Sequence, residues 1–286
     1  MLTILFDGIA YGVLLFVLAA GLAVTLGLMN FVNLSHGVFA MLGGYLTAVL
    51  MGRLGLPFLA CLPVAFVAAA VLGLVLERLL YRHLYRRSHL EQVLFTIGIV
   101  FMAVSATDYF MGSGQQPIRL PDFLRQRVEI FGGSVSMYRL FVVALCCVIT
   151  GLLQLLLMRT RFGSRLRAAV DDPQVARGLG INVGLIFAVT FALGSGLAGL
   201  GGALAADLFG MDPGFPIKFM IYFLIVVTVG GTTGLTGTFA ASILLGVFDV
   251  AGKYYVPQAG AFIISAVMVV VLILRPQGLF ARAGGR

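Results

Sequence analysis

Residues 8–52 read GIAYGVLLFVLAAGLAVTLGLMNFVNLSHGVFAMLGGYLTAVLMG, a run without a single Lys, Arg, Asp or Glu. A membrane helix needs about 20 predominantly apolar residues, so this run is long enough to cross a bilayer twice. One stretch interrupts it: LMNFVNLSHGVF, residues 28–39, places Asn30, Asn33, Ser35 and His36 close together, followed by Gly37. Two readings stand side by side. The stretch is either a helix break buried in a bundle beside a translocation route, its polar residues partnering the freed backbone, or a plain cytoplasmic turn with Asn33 or Ser35 capping the next helix. His36 has no second ligand at i+3 or i+4, which argues against a metal site; as a proton carrier it is the lesser alternative.

The rest of the chain has the same solvent in view. Of its 286 residues, 60% are hydrophobic and 10% charged, too little polar surface to coat a soluble globule. Further uncharged windows run from Pro57 to Leu76, Leu140 to Met158, Gly178 to Ala206 and Tyr254 to Leu274. Many of the 37 glycines fall inside such runs, as in GLAGLGGAL (196–204), which suits closely packed helices. The first run has no basic leader and no small-residue cleavage site, and reads as retained rather than as a signal peptide. Cys61, Cys146 and Cys147 lie in apolar windows without metal-ligand spacing and read as small buried hydrophobes.

Arginine sets the expected orientation. Arg78, Arg82, Arg86 and Arg87 form one cluster, Arg159, Arg161, Arg165, Arg167 and Arg177 a second, and Arg275, Arg282 and Arg286 a carboxyl tail, all expected to face the cytoplasm. Between the first two clusters the chain must leave and return, using Glu91–Met111 and Tyr138–Met158. A span at about Leu185–Ala206 and a last one at Gly260–Leu274 then require Phe219–Phe248 to cross an even number of times. Its centre, GGTTGLTG (230–237), is a glycine-rich bend joining two short helices, with Gly230, Gly231, Thr232, Thr233 and Gly234 as candidate path residues. Two crossings in residues 8–52 leave residue 1 external. The expectation is an all-α polytopic bundle of eight to ten spans, some broken or re-entrant, in one transmembrane domain covering residues 1–286. VEIFGGSVSMY (128–138) reads as an external hairpin or a plain loop.

The second basic segment is patterned enough to fold. Leu166, Ala169 and Val170 share a helical face from which Arg165 and Arg167 point away. In DDPQVARGLGI (171–181), Asp172 can cap a helix, Pro173 can occupy its first turn and Gly180 can end it. Anionic headgroups would repel Asp171 and Asp172, which favours a helix docking on a cytoplasmic partner over a loop lying on lipid.

LRAAVDDPQVARGLGINVGLIFAVTFALGSGLAGLGGAL (166–204) resembles the cytoplasmic loop and following span of permeases from branched-chain amino acid ABC importers. Arg167, Ala168, Asp172, Ala176, Gly180 and Ile181 match that family's pattern in register. MNFVNLSHGVFAMLGGY (29–45), VVTVGGTTGLTGTFAASILLGV (226–247) and LRPQGLF (274–280) resemble three further segments in the right order. Gly44 departs from the alanine usual before Tyr45, and the threonines of GTTGLTG exceed the usual pattern. The resemblance implies a permease of a bacterial inner membrane, working with a second homologous permease, two cytoplasmic ABC ATPases and a periplasmic solute-binding protein. It places coupling to the ATPases at Arg165, Arg167, Asp171, Asp172, Ala176, Gly180 and Ile181. Permeases for urea and short amides share these features.

The chain lacks fuel-burning machinery of its own. No G-x-x-x-x-G-K-[ST] occurs; GKY (252–254) has Val247 in place of the first Gly and Tyr254 in place of Ser or Thr. No cofactor is expected on this chain, ATP and Mg being used by the partner ATPases. Ser195 in LGSGLAG reads as packing, since no H-E-x-x-H accompanies it. A stand-alone channel or secondary carrier is the remaining alternative. Against a carrier, Asp7, Asp108, Asp207 and Asp249 fall near expected ends or bends, not at mid-membrane.

Overall fold

A computed structural model describes residues 2–85, 87–130, 133–231, 235–275 and 278–279. Its helices are α1 (Leu2–Met29), α2 (His36–Leu54), α3 (Phe58–Leu79), α4 (His89–Met111), α5 (Asp122–Arg125), α6 (Met137–Arg159), α7 (Arg161–Asp171), α8 (Pro173–Gly178), α9 (Val183–Phe209), α10 (Phe215–Gly230), α11 (Leu235–Tyr255) and α12 (Gly260–Leu274). Seven are long and apolar enough to cross a membrane: those beginning α1, α2, α3, α4, α6, α9 and α11. Among the described residues α10 and α12 are apolar but shorter. Outward faces carry Val67, Val71, Phe101, Met102, Val148 and Leu152, the apolar coat of a multi-pass membrane protein.

Helix α1 is the axis of the bundle. It lies antiparallel to α11, with Gly8 against Val247, Gly12 against Ser242 and Ile243, and the Phe16 ring 5.1 Å from Phe239. It is also antiparallel to α9, where Gly21 meets Gly194 and the Tyr11 ring lies 5.3 Å from Phe209. Within its span 89% of the residues are buried, against 11% for α4, so α1 is core and α4 periphery. Glycine permits these approaches because a Cβ at Gly21 would land on the Gly194 backbone.

Helix α10 ends at Gly230 and α11 begins at Leu235, so the glycine-rich segment falls between two helices, with one difference from the expectation. Only α10 is short; α11 is a full-length span, because its helix continues through Tyr255. The uncharged window from Tyr254 to Leu274 is therefore split between the end of α11 and α12. The hairpin forms as well: β1 (Arg127–Ile130) pairs antiparallel with β2 (Gly133–Ser136), Val128 opposite Val135. At that end Gln116 donates its backbone N–H to the Met211 carbonyl, and Arg139 pairs with Asp7. The opposite end gathers the segment before α2, the turn between α3 and α4, and the elbow from α6 into α7. Arg78, Arg82 and Arg87 thus share one end of the molecule with the Arg159–Arg177 cluster, as chain parity requires.

Candidate functional site

The interruption at 28–39 is a buried helix break. Asn30, at φ 49°, ends α1 in the left-handed conformation that Asn tolerates better than most residues. The Phe31 N–H then donates to the Thr25 carbonyl at 3.1 Å, and the chain turns back into the protein. His36, at the start of α2, reaches the Leu18 carbonyl of α1 through Nε2 at 2.8 Å. A carbonyl only accepts, so Nε2 carries the proton. Helix α2 therefore starts level with the middle of α1 rather than at the end of the bundle, which excludes a plain surface turn. Asn33, Ser35, His36 and Gly37 are buried; Asn30 is exposed.

The expectation that the polar residues of the break themselves satisfy the freed backbone is corrected by the geometry. Val32 donates to Gln92 Oε1 at 3.0 Å and Leu34 to Thr96 Oγ1 at 3.3 Å, both on α4. The Gln92 amide also donates to the Leu84 and Arg87 carbonyls, so one side chain clasps three segments. Ser35 occupies the N-cap position but makes no side-chain cap. Its hydroxyl donates to Asn33 Oδ1 at 2.6 Å, which leaves the Tyr81 hydroxyl, also at 2.6 Å, to donate to Ser35. Burial pushes the Tyr81 phenol up to about 12, so it stays neutral and able to donate. Gly37 lies against Pro216 of α10, where a Cβ would come within 2.9 Å of the proline Cα. Gln92→Leu keeps the bulk but leaves one donor and two acceptors in a part-buried site without their partner. It is expected to cost about 2–3 kcal/mol, read as a lower Tm in detergent with faster amide exchange over 31–36.

The second candidate segment folds as two helices. Helix α7 buries Gly163, Leu166 and Ala169, while Arg165 stays exposed. Arg167 is partly committed elsewhere: its Nη1 donates to the Leu157 carbonyl at 2.5 Å, closing the end of α6. Helix α8 is sealed at both ends. Asp172 accepts from the Gln174 and Val175 N–H groups, and Pro173 occupies the first turn. At the other end Ile181 donates to the Ala176 carbonyl and Gly180 to that of Arg177, with Gly180 at φ 79°. This is the Schellman arrangement, which needs a left-handed residue at the position of Gly180. Asp172, Ala176, Gly180 and Ile181 therefore build the helix, and what it presents outward is a pair that sequence reasoning passed over. Val175 and Leu179, one turn apart, are 58% and 75% exposed. Their signal was available: two apolar residues at i, i+4 in a short polar segment with capping residues on either side.

In the third candidate segment, Gly230 packs on the Thr238 backbone and Gly231 turns at φ 81°. Thr232, Thr233 and Gly234 lie outside the described residues. Asp249 lies in the last two turns of α11, near its end as expected, and is fully buried with Lys253 Nζ 2.5 Å away. Among the described residues no group of three or more His, Cys, Asp or Glu side chains could hold a metal ion. Ser195 donates to its own helix at the Phe191 carbonyl, 2.9 Å, and packs against Gly73.

Residues 4–272 match the family described as branched-chain amino acid transport system / permease component. Similarity to individual proteins extends nearly end to end. The chain is 25% identical to the high-affinity branched-chain amino acid transport system permease protein BraD of Pseudomonas aeruginosa, over 97% of this chain and 95% of that one. It is 28% identical to the probable branched-chain amino acid transport permease protein LivH of Methanocaldococcus jannaschii, over 96% and 91%. It is also 28% identical to the LivM permease protein of Escherichia coli, over 92% of this chain and 67% of that one. No solved structure matches. A polytopic bundle with a buried helix break, matched along almost its whole length, belongs to the branched-chain amino acid transport permease family.

Proposed function

We propose that residues 1–286 act as one permease domain of an ABC importer for branched-chain amino acids, in a bacterial inner membrane with the two basic clusters and the carboxyl end in the cytoplasm. The observation that carries this reading is α8: a short, doubly capped helix outside the spans that holds Val175 and Leu179 exposed. Apolar side chains held out from a rigid polar turn suit insertion into a groove of another protein. The partners are two cytoplasmic ATPases at α7 and α8, a second homologous permease, and an external solute-binding protein. ATP and Mg belong to the ATPases, and this chain contributes no catalysis and binds no cofactor. The ATPases drive transport only if their ATP-bound and empty forms favour different arrangements of the bundle. Asn33, Ser35, His36 and Gly37, with Gly230 and Gly231, then lie on or beside the route.

The test is transport by the complex in vesicles. Leucine is expected to accumulate against its gradient only with ATP on the side bearing α8 and binding protein on the other. Downhill leucine uptake by the purified chain alone would mean a channel or carrier, and ATP-driven uptake of urea or acetamide without leucine would move the substrate to the amide class.

A further inference from the structure

We infer that Tyr81 is the positioning residue through which helix α9 holds the break at the start of α2. Helix α9 leaves α8 through a tight junction: Ile181 donates to Ala176 of α8, Val183 to Ile181, and Asn182 caps α9 through the Leu185 N–H. A displacement of α8 therefore reaches the first turns of α9, which present Phe187 and Phe191 on one face. Two tyrosines between α3 and α4 receive them. The Tyr81 ring lies 4.9 Å from Phe191, and the Tyr85 ring 5.6 Å from Phe187. Both tyrosines then meet Phe31 of the break, at 5.7 and 5.3 Å. Tyr81 goes one step further, because its hydroxyl donates to Ser35, which donates to Asn33.

Tyr85 ends differently, donating to Glu77 Oε1 at 3.1 Å on α3. Tyr81 thus joins the α9 aromatic face to the polar groups of the break, while Tyr85 joins it to the α3 end. With Tyr81 and Ser35 both fully buried, breaking the bond between them leaves the Tyr81 hydroxyl without its partner, so α9 and the break have no cheap way to move independently. Contact alone does not establish coupling; a bond that both segments depend on is the physical ground for it. The inference rests on the reading of α7 and α8 as the ATPase docking segment.

The test uses the intact importer, with leucine accumulated per ATP hydrolysed as the readout. Tyr81→Phe keeps the ring and removes only the hydroxyl. It is expected to lower that ratio by about fivefold or more, the lower range of coupling factors between distinct sites, with complex recovery and ATPase rate unchanged. Ser35→Ala removes the same bond from the other side, so the double variant is expected to be no worse than either single one. Tyr85→Phe, which also keeps its ring and loses only the hydroxyl bond to Glu77, is expected to leave the ratio near wild type, so that the loss is specific to the bond between Tyr81 and Ser35. If Tyr81→Phe fails to assemble, Ser35→Ala gives the same readout at a smaller side chain. A wild-type ratio in both single variants, or additive losses in the double, overturns the inference. A wild-type complex that does not couple ATP to leucine uptake overturns the importer reading instead.

Discussion

Replacing Val175 and Leu179 together by aspartate is expected to abolish recovery of the ATPases with the permease while leaving the permease folded. Both side chains are largely exposed, so the free chain loses little. In a groove, each would bury apolar surface worth about 1.5–3 kcal/mol. Losing both, and desolvating two carboxylates instead, amounts to at least about 4 kcal/mol, or roughly a thousandfold in Kd. Reversing the exposed charges of Arg165 and Asp171 is expected to act more weakly, mainly on association rate and salt dependence. Gly180→Val works by a third route: it strains the left-handed turn and unseals α8, so the docking pair loses its frame. Affinity capture through a tag on the permease, with Tm of the permease as control, separates these outcomes. ATPases retained at wild-type level by the double aspartate variant would remove α8 as the docking element.

The architecture was readable because bilayer solvent imposes strong rules. Uncharged runs marked most of the spans, the glycine-rich segment from 230 marked the junction of α10 and α11, and alternation around Gly132–Gly133 offered the hairpin beside a plain loop. The ends of α8 were readable for a local reason, since Asp172, Pro173 and Gly180 act within a few residues of themselves. The site was half readable. Asn33, Ser35 and His36 announced a break, but Gln92, Thr96 and Tyr81, which satisfy it, lie 46 to 62 residues away from their partners, and no local periodicity encodes that pairing. Polarity alone does not pick them out. Thr47, Thr150 and Thr190 are equally polar and buried, yet each donates to the carbonyl four residues earlier in its own helix. Gln92 is distinguished by reaching beyond its own helix, which only the fold reveals. Arg167 misleads in the opposite sense, its charge pointing to a partner while its guanidinium closes the end of α6.

Gly202→Leu is expected to prevent recovery of folded permease, and Gly202→Ala to lower its Tm markedly. At the crossing of α2 and α9, a Cβ on Gly202 would land on the Ala40 carbonyl, and one on Gly43 on the Gly199 backbone. Gly199 itself lies against Ala69 and the Ala65 carbonyl of α3, so α9 cannot retreat from α2 without pressing on α3. A flexible side chain could yield to a methyl group; three helix backbones cannot, and the cost of overpacking exceeds the usual 1–3 kcal/mol, by about the packing of a whole helix face. Moving α2 outward would also draw His36 from Leu18 and Phe39 from Phe191. The same chain supplies the control. Gly151, inside α6, has nothing within 4 Å of its would-be Cβ, and Gly151→Leu is expected to change stability by no more than about 0.5 kcal/mol. Monodisperse yield and Tm in detergent decide between them, and a Gly202→Ala variant as stable as wild type would mean that α2 and α9 do not cross so closely. Backbones in contact leave little play between helices. The close fit that makes Gly202 irreplaceable also makes α9 and α2 move together, and such stiffness is needed for a displacement arriving at α8 to reach a helix break in the middle of the bundle.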